Sequence, residues 1–136
     1  MKRLSSKDRI NGFTLIELLI TIAIVAILAA IAIPSYRAQA IRAARTEALD
    51  QLLAQAQFQQ QFYTQNNQFN GTAAFTTTSG RYQITTALAN ANQSYTLSAI
   101  PQGGQTDDAC GTLTLTNIGV RGISGGGNLA NCWAGR

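Results

Sequence analysis

Histidine is absent from this 136-residue chain, and with it go the commonest general base and the commonest transition-metal ligand. Cysteine occurs twice, at Cys110 and Cys132, with no Cys-x-x-Cys spacing. Two thiols without a histidine make a poor zinc site. The adjacent acids Asp107-Asp108 supply too few oxygens to hold calcium alone. Gly125-Gly126-Gly127 has no Lys-Ser/Thr after it and does not join a strand to a helix, so it is no phosphate loop. No Ser or Cys has a plausible base. The residues therefore point to no catalytic, cofactor or metal site, and the expected function is not enzymatic.

The longest absence lies near the start. From Phe13 to Ile33, 21 residues pass without a glycine, a proline or a basic side chain, and Pro34 closes the run. At ~1.5 Å per residue a helix of this length reaches roughly 31 Å, enough to cross the hydrocarbon core of a bilayer. Its single charge is Glu17. A carboxylate at the centre of a membrane helix costs about 2.5 to 3.5 kcal/mol, and less near an end, so a lone one needs a reason. The segment before the run carries Lys2, Arg3, Lys7 and Arg9 against Asp8. Basic residues just ahead of a spanning helix predict that this end stays cytoplasmic and the rest is translocated. A secretory signal is cleaved after its apolar segment; here the boundary that looks cleavable, Gly12-Phe13, lies before it.

Gly12-Phe13-Thr14-Leu15-Ile16-Glu17-Leu18-Leu19, with a short basic leader before it and an apolar run after it, resembles the processing site of a type IV prepilin. The resemblance implies cleavage by a membrane prepilin peptidase after Gly12 and methylation of the new amine at Phe13. It also implies a role in assembly for Glu17, which would meet the amine of a neighbouring subunit. A partnered carboxylate in hydrocarbon is far less unfavourable than a lone one, which biases the helix toward packing against other copies. The bland alternative is a single-pass anchor whose Glu17 reaches toward the headgroups. Removing residues 1–12 leaves 124, and the leader takes with it +3 of the net charge of +4. The mature chain is then close to neutral, so the basic balance is no argument for nucleic-acid binding.

After Pro34 the pattern becomes amphipathic. Ile41, Ala44, Ala48, Leu52, Ala56, Gln59 and Phe62 recur at three- and four-residue steps, with Leu49, Leu53 and Tyr63 widening the face. One helix is predicted to about Tyr63, kinked or loosened at Pro34, which donates no backbone hydrogen bond. Arg37, Arg42 and Arg45 read as a solvated face or as intersubunit ion pairs. Thr64 to Gly80 reads as a loop pinned by Phe69 and Phe75. Strand alternation follows at Tyr82, Ile84 and Thr86, at Tyr95, Leu97 and Ala99, and in Thr112-Leu113-Thr114-Leu115-Thr116. Asn117-Ile118-Gly119 makes a turn, and Val120 opens a return strand toward Gly122. In a translocated chain a single pair of cysteines predicts one disulfide, Cys110–Cys132, worth roughly 3 kcal/mol on the chain-entropy model. The Gly125–Gly127 run would be slack inside its loop.

The predicted fold is α+β: a long N-terminal helix packed against three or four antiparallel strands, with a C-terminal disulfide loop. Its parts are a leader (1–12), a transmembrane or filament-core half-helix (13–34), an amphipathic half-helix (35–64) and a head (65–136). The stretch from Cys110 through Asn131-Cys132-Trp133 looks most like the small minor pilins of Gram-negative pili. The resemblance implies a pilus subunit partnered by other pilin subunits, the peptidase, an assembly platform and, before assembly, the inner membrane. The head would be periplasmic first and extracellular once in the pilus. Two alternatives stand beside it: a type II secretion pseudopilin and a DNA-binding competence pilin. The disulfide loop and the lack of a calcium site disfavour the pseudopilin. Nucleic-acid binding would rest on Arg81, Arg121 and Arg136 alone, too few for a basic stripe.

Overall fold

The computed structural model describes residues 12–135; of the leader expected over residues 1–12, all but Gly12 lies outside them, as does Arg136. Helix α1 runs Leu15–Asn66, followed by β1 (Phe75–Thr76), β2 (Tyr82–Ala89), β3 (Ser94–Pro101), a 3-10 turn at Gly103–Asp107, β4 (Leu113–Thr116), β5 (Arg121–Ile123) and the short α2 (Leu129–Trp133). The chain divides into two compact units, one ending at Arg37 and the other beginning at Ala38.

The first unit is helical from Leu15, and its apolar side chains are exposed: Leu15 is 82% and Ile31 72% accessible. Its most apolar 18-residue window has a mean hydropathy of 2.9 and buries nothing. Pro34 lies inside α1, whose helical residues continue through it without interruption. Having no N–H, Pro34 leaves the carbonyl of Ala30 without its usual helical donor.

In the second unit, five antiparallel strands lie in the order β1-β2-β3-β4-β5. The register builds rows across one face: Ile84 opposite Ala99, Ala99 opposite Leu113, and Leu113 opposite Ile123. A second row runs from Thr86 through Leu97 and Leu115 to Arg121. Because side chains alternate across a strand, the buried members of these rows and Tyr82 and Tyr95 share the core face. They pack on Ala44, Ala48, Leu49 and Leu52 of α1. The predicted alternation in β2, β3 and β4 is therefore the observed core, and the α+β architecture stands.

Several boundaries differ from expectation. The helix ends at Asn66, past Tyr63, and stops where Asn67 turns left-handed at φ 54°, a common helix-ending conformation for Asn. The sheet has five strands; the added one, β1, is only two residues long and gives alternation no length in which to show. Phe69 is buried against Tyr63 and Tyr95, as a pin should be, whereas Phe75 is exposed on β1. The loop before β1 is held by Gln59, whose side chain accepts from the Asn70 N–H at 2.9 Å and donates to its carbonyl. Leu53, placed on the apolar face, is 45% exposed.

Candidate functional site

Gly12, Phe13 and Thr14 precede the first helical residue, Leu15. The Thr14 hydroxyl accepts from the backbone N–H of Glu17 at 3.3 Å, a side-chain cap that fixes where the helix begins. Glu17 stands in the first turn, exposed, where the positive end of the helix dipole favours an anion. The residues expected to be cut, methylated and paired therefore lie together at one helix start. Pro34 lies far along the same helix.

Cys110 and Cys132 are joined, with an S–S distance of 2.02 Å. Within the Gly125–Gly127 run, two of the three glycines are not slack. A side chain at Gly125 would meet the Ala109 carbonyl at 2.1 Å, and one at Gly127 the Cys132 sulfur at 3.0 Å. Both residues also donate backbone hydrogen bonds into the Ala109-Cys110 segment. Of the three, Gly126 alone faces open space. Close backbone approach, rather than flexibility, explains Gly125 and Gly127.

The residues before Cys110 hold a buried polar cluster that the sequence reading missed. Arg45, expected on a solvated or intersubunit face, is 6% accessible and forms a two-pronged ion pair with Asp108, one bond of it from Nε at 2.9 Å. Asp108 also accepts from the Tyr82 hydroxyl at 2.8 Å and from the Cys110 N–H at 3.0 Å. Gln105 donates to Asp108, to Tyr82 and to the carbonyl of Ile41. Burial alone would raise the Asp108 carboxyl, but the Arg45 guanidinium, the Cys110 N–H and the Tyr82 hydroxyl outweigh it and hold it below the usual range. The hydrogen bond to Asp108 raises Arg45 against its own desolvation. Desolvation pushes Tyr82 up to about 12. Asp108 is thus a structural anchor, and its oxygens are engaged within the protein. Arg45 sits four residues from Leu49 and seven from Leu52, on the buried stripe. A lone arginine at such a place is a sign of a buried acidic partner. That sign was present in the sequence, but nothing local distinguished Asp108 from Asp107.

Residues 7–33 match the prokaryotic N-terminal methylation motif, and residues 34–114 match the family described as "Type IV minor pilin ComP, DNA uptake sequence receptor". The chain belongs to this minor pilin family. It is 41% identical over 88 residues to a fimbrial protein of Neisseria meningitidis serogroup A, covering 59% of this chain and 51% of that protein. It is 45% identical over 64 residues to the "Type IV wide pilus major component PilA4" of Thermus thermophilus, covering 47% of this chain and 49% of that one. The chain thus spans about half the length of these relatives. A solved structure of a type IV pilin from Shewanella oneidensis superposes with a TM-score of 0.55 at 25% identity, over 65% of this chain and 96% of that one. The minor pilin therefore has the type IV pilin fold, with its long helix, antiparallel sheet and C-terminal disulfide.

Proposed function

We propose that this minor pilin is a structural subunit of a type IV pilus. The observation that carries the reading is the exposed apolar helix that follows Gly12-Phe13, broken only by the carboxylate of Glu17. On this reading the prepilin peptidase cuts after Gly12, Phe13 is N-methylated, and the chain spans the inner membrane once with its head in the periplasm. An assembly platform then packs the helix among other pilin subunits, and the head reaches the exterior. Pro34 is where the helix would yield, since one backbone bond is missing there.

The test is the intact mass and N-terminal sequence of the protein recovered from sheared surface filaments. A chain beginning at N-methyl-Phe13, two hydrogens light for its disulfide, is expected. An intact Met1 would refute processing, and a processed chain confined to the envelope would move the assignment to a pseudopilin.

The family description gives a second reading, capture of DNA for uptake, and supports it more than charge does. The head's exposed or half-exposed arginines among the described residues are Arg81 and Arg121. Two phosphate contacts predict a shallow salt dependence, a slope of log affinity on log salt of about −2. Duplex binding measured from low to high salt would show it, and salt-independent retention would exclude phosphate recognition.

A further inference from the structure

Arg121 ends the core-facing row that runs through Leu97 and Leu115, but at the sheet edge it is exposed. Its guanidinium lies 5.1 Å from the ring centre of Trp133, which holds a flexible side chain in place before any partner arrives. On one side of Arg121 opens a groove of about 510 Å³, floored by Leu53, Ala56, Tyr95 and Leu115, with Gln57, Gln60 and Asn117 along it. On the other side lies a second groove of about 340 Å³ between Arg121, Leu129 and Trp133. Among the described residues no carboxylate lines either groove, and Arg121 has no ion-pair partner.

An apolar floor, amide groups that can pair with a peptide backbone, and one positioned cation define the complementary ligand. It is an extended peptide carrying a carboxylate next to an apolar side chain. A phosphodiester chain fits worse, because successive phosphates need successive cations, and among the described residues each groove offers one, Arg121. We infer that this surface receives such an acidic, apolar segment from the head of a neighbouring pilin subunit; the inference rests on the filament-subunit reading above.

The test places a photo-crosslinking phenylalanine derivative at Gln57, an exposed lining residue, in the full chain expressed in piliated cells. Sheared filaments are irradiated and the adduct is sequenced by mass spectrometry. The expected adduct is a pilin-head peptide with Asp or Glu beside an apolar residue. Arg121→Glu should reduce its yield about tenfold, since a charge-assisted pair becomes a repulsion, while Arg121→Lys should retain most of it. Leu53→Gln, a change at a half-exposed position that leaves the buried core alone, should reduce the yield as well. Absence of the chain from filaments would overturn the subunit reading and this one with it. Presence in filaments with no adduct, with a DNA adduct, or with a yield indifferent to Arg121→Glu would overturn the groove assignment alone.

Discussion

At the scale of single residues, the buried Arg45–Asp108 pair ties stability to pH on the acid side. The folded state holds the Asp108 carboxyl below its ordinary value, so the unfolded chain binds that proton first as pH falls. The stabilisation is therefore fully present above about pH 4, the unfolded value, and is lost as pH drops through the lower folded value. Tyr82 works with the opposite sign. Its folded value of about 12 exceeds the ordinary one of about 10, so its contribution is intact below about pH 10 and is lost as pH rises toward 12. Tertiary stability of the full chain in detergent, followed by near-ultraviolet circular dichroism, should show a plateau between those limits and fall on both sides. Asp108→Asn leaves Arg45 buried without its counter-charge and should cost about 3 kcal/mol, with the acid limb flattened. An unchanged acid limb in that variant would show that some other carboxylate governs it.

The elements were unequally legible in the sequence, and the difference has a physical cause. Strands β2, β3 and β4 declared themselves because one face is buried and the other wet, so Tyr82 and Ile84, Tyr95 and Leu97, and Leu113 and Leu115 alternate with polar neighbours. The apolar half of α1 and the prepilin-like start were equally plain, since a 21-residue uncharged stretch interrupted by one acid has few other uses. What stayed hidden depended on contacts between distant segments: the two-residue β1, the short α2, the pairing of Arg45 with an acid 63 positions away, and the packing of the glycine run. Composition makes Gly125, Gly126 and Gly127 equivalent; the structure does not. Gly125→Ala would drive a methyl into the Ala109 carbonyl and should destabilise by about 2 kcal/mol or more. Gly126→Ala meets nothing within 4 Å and should be neutral, or stabilising by about 0.5 kcal/mol. Equal effects in denaturant unfolding of the two variants would return the loop to the slack reading.

For the whole molecule, the two units differ in what they bury by themselves. The second unit buries its own apolar face under α1 and is stapled by Cys110–Cys132, so its folding can be complete before any assembly. The first unit buries none of its apolar stretch, so on the proposed reading lipid and then other helices supply what the chain itself does not. Glu17 makes that exchange directional on the proposed reading. A carboxylate near the end of a membrane helix is tolerated at some cost, and a neighbour's Phe13 amine, created by cleavage, removes that cost only in the assembled state. Glu17→Ala should therefore be cleaved, inserted and folded normally, and should even favour the bilayer, while its incorporation into filaments drops severalfold. Glu17→Gln separates charge from shape: if the attraction to the amine is what matters, it should fail nearly as badly as alanine. Counting surface filaments alongside the ratio of processed chain in envelope and pilus fractions would measure both effects. Normal incorporation of Glu17→Ala would mean that the carboxylate serves some purpose other than assembly, and the bias toward the filament would have to come from helix packing alone.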